Sequence, residues 1–556
     1  MLEQSSVNKY YQLFVAEKLM DEKLQEKPVC GKPLLLSPED EKENRFCRKV
    51  LIWVLAIWGV FWTLLPLILL EGLYFDVLEN LEWGRYWQFG YDKHPFVSMW
   101  ITRAVYEMTG EPAWLYLLNQ ISVFLAVLCV WLLARRVLRP LPALAATLMT
   151  LTLQYFSSWA LEFNNDVIAV SVWAAAMLFC YRAVVGQKIT DWLLTAFFCF
   201  LAVMTKYYAA LLVGLLGLAV LCHKTGRKSF RHAGLYTAAV FFLLLILPNV
   251  IWLFNNDFLP FDYAMQSSTR KEVTGIMRNL TQSWSFFMRM LERLGFFIPV
   301  FLVLFGKRER PENRIRTEGF DRFYFTLIGL GPLGFTLLLP LLGGLHIKMT
   351  WLASCFSFLA VWLFMVLNPV VTRRRILLLV IFLGLYGFGL GFHKTYSALW
   401  KQPYRDRSCP YHIYPGKPIA EKAEEIWSRN VPNRPLKYVI APREEGSSLS
   451  YYVSTRPHSC YFYDFRISPW CSKEDLEQSG ALVAWEMTSQ SDGSFESKPP
   501  KWLKALPKDR LVMAGHSDFD RLVRPWFRCH VKEPVRKIRI AFAVLLPSSS
   551  QPKSAR

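Results

Sequence analysis

The stretch Glu71–Pro95, EGLYFDVLENLEWGRYWQFGYDKHP, follows an apolar run, Leu51–Leu70, long enough to span a bilayer. It is dense in carboxylates and aromatic rings and ends in an Asp-Lys-His-Pro turn. Wound as a helix, it carries Asp76, Glu79 and Glu82 on one side and Tyr74, Val77, Leu78 and Leu81 on another. That pattern predicts a short helix in the membrane interface, apolar side towards lipid and acidic side towards a water-filled cavity. Trp83, Tyr86, Trp87, Phe89 and Tyr91 suit the headgroup level. An ordinary acidic loop with an aromatic belt accounts for the same residue types, so the stretch has to be read in its surroundings.

The chain has 556 residues, of which 53% are hydrophobic, and apolar runs of spanning length recur up to Phe392. The fold class this predicts is mainly α, a polytopic transmembrane helical domain of about eleven spans. A net charge of +20 raises the question of nucleic acid, but the basic residues concentrate in short loops between apolar runs, so no nucleic-acid partner is expected. Arg45, Arg48 and Lys49, then Arg135, Arg136 and Arg139, HKTGRKSFRH, KRERPENRIR and Arg373–Arg375 mark the cytoplasmic side. The N-terminus then lies inside, and the loops 71–112 and 255–288 lie outside.

The domain reading follows. Residues 1–48 form a cytoplasmic arm with an amphipathic helix around Tyr10–Leu24, and 49–392 form the transmembrane domain. Over 393–546 the composition becomes that of a small extracytoplasmic α/β domain: strands LKYVIA, ALVAWEM, RLVMAG and IRIAFAVLL alternate with helical patterns IAEKAEEIWSRN and SKEDLEQSG. Residues 547–556 read as a disordered tail. Cys409, Cys460, Cys471 and Cys529 lie beyond the last span, where an oxidising compartment permits disulfides whose pairing sequence does not give. No cysteine pair has metal-ligand spacing, and neither a GxGxxG after a strand nor a Walker motif is present.

The unusual polar groups gather at span ends on the outer side. They are Asp76 and Glu79; Asp92, Lys93 and His94; Asn164, Asn165 and Asp166; Lys206, Tyr207 and Tyr208; Asp262, Tyr263, Arg270 and Lys271; His346 and Lys348. Taken singly, Lys206, Lys348 or Arg270 fits a side chain snorkelling to the headgroups. As a set with both signs on one face, they fit a shared polar cavity better. There a carboxylate can take a proton from a hydroxyl nucleophile, and a Lys or Arg can hold a phosphate as leaving group. The substrate would be a phosphorylated lipid at the membrane surface, with no soluble nucleotide.

EGLYFDVLENLEWGRYWQFGYDKHPFVSMW resembles the first outer loop of the polyprenyl-phosphate-sugar-dependent membrane glycosyltransferases. This is the GT-C group that includes lipid A aminoarabinose transferases, the family 39 enzymes and protein O-mannosyltransferases. LEFNNDVIAVSVWA, MTKYYAALLVGLL and PNVIWLFNNDFLPFDYA resemble later motifs of that group, in the same order. The likeness covers Trp53–Phe392 and leaves the C-terminal part unplaced. It implies a GT-C-type helical domain that moves a sugar from a polyprenyl-phosphate donor to a lipid A, surface-glycan or protein acceptor outside the membrane. By carry-over Asp76 is the base or orienting carboxylate and Glu79 its partner. Lys93 contacts the donor phosphate beside Asp92 and His94, and Lys206, Tyr207 and Arg270 are further donor contacts. The outer-loop acids stand three apart rather than adjacent, Phe96 replaces a second proline, and Asp166 replaces a second Asn. The donor is the lipid-linked sugar; no metal ligand is assigned and metal dependence stays open.

The location implied is a bacterial inner (plasma) membrane, in line with the lack of a long central luminal domain. Three rivals are a ligase or polymerase of lipid-linked oligosaccharides, a lipid-sugar flippase, and a structural membrane protein with an α/β sensor domain outside, which would leave the acidic-aromatic loop and Lys93 without a task. A ligase would concentrate its chemistry in a large later loop, and a transporter would carry ionisable groups at mid-span.

Overall fold

The computed structural model describes residues 38–268, 275–310, 317, 319–343, 347–405, 409–487, 499–524 and 534–548. The expected arm helix around Tyr10–Leu24, Arg270, Lys271, His346, Cys529 and most of the expected disordered tail (549–556) lie outside the described residues. The chain opens with α1 (Pro38–Leu69), then α2 (Phe75–Gly84), α3 (Val97–Thr109) and α4 (Trp114–Val137). The run expected as one span at 141–160 is instead a ten-residue helix, α5 (Pro140–Met149), followed by two 3-10 turns. The Thr147, Thr150 and Thr152 hydroxyls donate back to the carbonyls of Ala143, Thr147 and Met149, which competes with the α ladder there.

Next come α6 (Asn165–Gly186), α7 (Ile189–Thr205), α8 (Ala210–Leu221) and α9 (Ala233–Asn255). The second large loop and the last spans follow as α10 (Leu259–Ser268), α11 (Gly275–Leu294), α12 (Phe297–Phe305), α13 (Gly319–Gly343), α14 (Leu359–Leu367) and α15 (Arg373–Tyr396). Among the described residues six helices, α1, α4, α6, α9, α13 and α15, are long and apolar enough to cross a membrane, or seven spans if α8 and the following segment, bent by 87°, count as one. The protein is a multi-pass membrane protein. The hydrophobic stretches read as about eleven spans are not all full-length helices, because α5, α7, α12 and α14 are short.

The helix α11 departs from the loop and span expected there. Ile276, Met277, Leu280, Trp284 and Met288 are exposed along one side, while Phe286 is buried and Arg293 turns inward to donate to Gln154 Oε1 at 2.9 Å. That is the pattern of a helix lying along an apolar boundary rather than crossing it.

After α15 the chain forms α16 (Gly416–Asn430), α17 (Arg443–Tyr452), α18 (Lys473–Ser479) and a five-stranded sheet. The strands are β1 (Tyr438–Ala441), β2 (His458–Tyr461), β3 (Ala481–Glu486), β4 (Leu511–Asp520) and β5 (Lys537–Leu545), in the order β2-β1-β3-β5-β4. The strands β2, β1 and β3 are parallel, and β5 runs antiparallel between β3 and β4. Alternate strand residues face two cores. Val439, Leu482 and Phe542 meet Ala423 and Trp427 of α16; Ile440, Val483 and Ala543 meet Leu476 of α18. The small α/β unit read from the sequence is therefore present, with β2 added to the four strands foreseen.

The apolar side of α2 does not face lipid. Val77, Leu78 and Leu81 are buried, because α2 is clamped between α3 and the α/β unit's α17. The approach of α2 to α3 is close: a Cβ on Gly84 would lie 2.6 Å from both the Met99 carbonyl oxygen and Arg103 Cβ. We predict that Gly84→Ala forces the helices apart and costs about 1–3 kcal/mol. A clearly lowered melting temperature of the purified protein would register this, and an unchanged one would contradict it.

Candidate active site

α2 is short, and its three carboxylates point to three different neighbours. Glu79, in its second turn, is buried and accepts from Lys93 Nζ at 2.6 Å. Lys93 reaches it because the Asp-Lys-His-Pro turn folds back over the helix: the Tyr91 N–H donates to the His94 carbonyl at 3.0 Å, and the Tyr91 ring stacks on Trp83 at 5.3 Å. The ammonium also lies 5.3, 5.6 and 5.7 Å from the rings of Phe75, Trp83 and Tyr263. Glu82 turns the other way, to the Ser459 N–H at 3.1 Å, the Tyr86 hydroxyl at 2.9 Å and the Ser450 hydroxyl. The shared acidic side expected for Asp76, Glu79 and Glu82 is thus divided, with Glu82 serving the joint to the α/β unit.

Asp76 sits in the first turn of α2, where the helix dipole favours a negative group. Its carboxyl is half-buried and hydrogen-bonds the Asn164 side chain, which itself caps α6 by accepting the Asp166 and Val167 N–H groups at 3.0 and 3.2 Å. Burial, then the charge of Glu79, raise Asp76 from 3.8 to about 6 against the pull of Lys93. Glu162 accepts the Asp76 backbone N–H, and burial together with the Asp76 charge raises it to about 8. Asp76 makes no salt bridge among the described residues.

Further ion pairs ring this centre. Lys206, at the end of α7, donates to Asp166 at 2.5 Å, which gives the Asp found in place of an Asn its task. Asp92 is buried and takes both terminal nitrogens of Arg443, the first residue of α17, one of them at 3.0 Å. Burial raises the Asp92 carboxyl even so. His94 stands among Lys206, Lys93, Lys348 and Arg443, and burial together with these four cations keeps its imidazole neutral, far below its ordinary range. Lys93, Lys206 and Arg443 each hold a carboxylate, whereas Lys348 is exposed and has none among the described residues. Lys348 lies 5.7 Å from the same Tyr263 ring that Lys93 faces.

The structure brings Asp76, Glu79, Asp92, Lys93, His94 and Lys206 together. Tyr207 plays a different part: its hydroxyl accepts from Asn249 Nδ2 at 3.0 Å, and that nitrogen also donates to the Phe89 carbonyl at 2.5 Å, fastening the first loop to α9. Sequence reasoning did not single out Arg443 or Glu162. Glu162 directly precedes the FNND motif, a signal within reach; Arg443 lies in a soluble-looking segment, and nothing local links it to Asp92. Among the described residues no group of three His, Cys, Asp or Glu is placed to hold a metal ion.

Residues 93–252 match the model of the dolichyl-phosphate-mannose-protein mannosyltransferase family, a span that begins at Lys93 and takes in the LEFNND and MTKYY motifs. Among solved structures, ArnT from Cupriavidus metallidurans in the apo state matches with a TM-score of 0.54 at 13% identity, over 91% of this chain and 99% of that one. The same protein bound to undecaprenyl phosphate matches with a TM-score of 0.54 at 14% identity, over 90% and 99%. The archaeal oligosaccharyltransferase AglB from Archaeoglobus fulgidus, in complex with an inhibitory peptide and a dolichol-phosphate, gives 0.41 at 10% identity, over 87% and 81%. A search of curated proteins finds no match. The fold is that of the GT-C membrane glycosyltransferases, and the resemblance read from the four motifs is met by both the family model and the structures.

The raised carboxyl of Asp76 has a consequence for stability. A carboxylate harder to ionise when folded lowers stability as pH climbs from about 4 towards about 6. Asp76→Asn should therefore melt a few degrees above the wild type at pH 7–8, with the gain vanishing near pH 4. A pH-independent difference between the two proteins would rule out this origin.

Proposed function

We propose that the protein is an integral membrane glycosyltransferase that moves a sugar from a polyprenyl-phosphate donor to an acceptor outside the membrane. The observation that carries the reading is the juxtaposition of Asp76, a half-buried carboxyl with no salt bridge among the described residues, with the cations around His94. An acceptor hydroxyl attacks C1 of the sugar, its proton passes to Asp76, the C1–O bond to the phosphate breaks, and the polyprenyl phosphate leaves. Lys93 and Lys348, each 5.7 Å from the Tyr263 ring, meet the phosphate, Lys348 having no carboxylate to give up among the described residues. The Lys93 ammonium keeps Glu79, and Arg443 keeps Asp92, so the turn holds its shape while the donor binds. The GT-C fold, and the binding of undecaprenyl phosphate by the structurally similar ArnT, support the donor class. The basic inner loops support an N-terminus in the cytoplasm and the α/β unit outside, and a bacterial inner membrane belongs to the same proposal. The domain division at residues 48, 392 and 546 belongs to this proposal.

The test uses purified protein in liposomes with a panel of polyprenyl-phosphate sugars and with lipid, glycan and peptide acceptors. Asp76→Asn should abolish transfer while leaving undecaprenyl-phosphate binding within about twofold, because it removes the base and no phosphate contact. In the wild type kcat/KM should rise with pH through about 6 as Asp76 ionises. Lys93→Ala and Lys348→Ala should each weaken donor binding about tenfold or more and acceptor binding little. Near-normal transfer by Asp76→Asn would remove it from catalysis, and failure of the wild type to bind any polyprenyl phosphate would sink the transferase reading.

A further inference from the structure

A second charged cavity lies across α2 from Asp76, at the joint of three segments. It encloses about 190 Å³ and draws a guanidinium from each: Arg85 just past α2, Arg103 of α3 and Arg456 just beyond α17. The Arg85 charge is taken by Glu82 at 3.1 Å, and its Nη1 also donates to the Ser450 hydroxyl. Arg103 gives its Nε to Glu107 at 2.6 Å, and its two terminal nitrogens have no hydrogen-bond partner among the described residues. Arg456 lies 4.4 Å over the Tyr451 ring, donates from Nη1 to the Tyr451 carbonyl and from Nη2 to the Tyr106 hydroxyl at 3.3 Å, and has no carboxylate among the described residues. Its backbone is held at φ +50°, a costly conformation for an arginine, and its carbonyl accepts from Arg85 Nη2 at 3.0 Å. Among the lining side chains three guanidiniums meet one carboxylate, Glu82, while Glu107 and Glu111 stand nearby, and the terminal nitrogens of Arg103 suit oxyanion geometry.

The cavity also sits near membrane level. The helix α3 that carries Arg103 and Tyr106 ends at Thr109, and the spanning helix α4 starts at Trp114, which is half exposed, as an interfacial aromatic is. We infer that this cavity binds the phosphomonoester headgroup of an anionic membrane lipid, and that its occupation ties the α/β unit to α2 and α3. This site is separate from the donor site and does not depend on the transferase reading.

The test is binding by the full-length protein in detergent of dioctanoyl phosphatidic acid, inorganic phosphate and, as control, dioctanoyl phosphatidylcholine. Phosphatidic acid should bind and raise the melting temperature, and phosphatidylcholine should do neither. Arg103→Gln with Arg456→Gln should lower the phosphatidic acid affinity about tenfold or more, while Lys348→Ala, in the donor site, should leave it within about twofold. Should the double variant fail to fold, Arg103→Gln alone gives the same reading about threefold or more weaker. Unchanged affinity in the arginine variants, or loss in Lys348→Ala instead, overturns the site. Inorganic phosphate binding as tightly as the lipid overturns the lipid assignment.

Discussion

Carboxylates taken out of water have to be paired, and this molecule is arranged around three that are. Glu79, Glu82 and Asp92 are 3%, 2% and 6% exposed. A buried ion costs several kcal/mol unless a partner and further hydrogen bonds return it. Each acid therefore draws in a separate piece of chain. Glu79 draws in Lys93 from the turn after α2. Glu82 holds Arg85 and the Ser450 and Ser459 segments. Asp92 holds Arg443, from a part of the chain some hundreds of residues further on. Together these pairings fold the turn onto α2 and fix the α/β unit over it. Trp83, Tyr91 and the Tyr86–Trp470 stack at 4.6 Å fill the space between.

Asp76 is the contrast that gives the arrangement a use. It lies one turn before Glu79 on the same helix, yet its partners are an amide and a neighbouring acid rather than a cation. A salt-bridged carboxylate is held ionised and is a poor base. One that is raised towards neutral pH, with a proton within easy exchange, can take and return it. In the proposed transfer the paired acids supply rigidity, and Asp76, which has no salt bridge among the described residues, would supply the base; the same ten-residue helix carries Asp76, Glu79 and Glu82.

What the sequence makes legible is what is local. The spans at α1, α4, α6, α9, α13 and α15 follow from continuous apolar runs, and β1, β3, β4 and β5 from short apolar strands between turn residues. The Asp92–Pro95 turn, Lys206 and Asp166 stand out because ionisable groups at span ends are costly. What was misread depends on distance. The apolar face of α2 looks like a lipid face until α17 covers it, and Glu82 looks like a member of the acidic side until Ser459 takes it. Helix α5 stops short because of threonines whose effect on the ladder no hydropathy window registers. Trp83 and Tyr91, expected at the headgroups, stack on each other inside, while Trp87 and Phe89 are exposed.

The ion pairs also bear on why a proposed sugar transfer would run in so crowded a field of charge. The donor phosphodiester carries a single negative charge, and the departing polyprenyl phosphate carries a second. In the proposed step that charge appears as Asp76 accepts a proton and loses its own, so the cavity holds the same total before and after. Lys93, Lys206 and Arg443 then need not exchange partners during the reaction, since each remains neutralised by its own acid. The charge has only to move from the Asp76 side of α2 towards Lys348 and the Tyr263 ring. A neutral His94 adds no fifth cation to the four around it. A fixed electrostatic frame costs nothing to reorganise at the moment of transfer, and that is where preorganised charges have their largest effect.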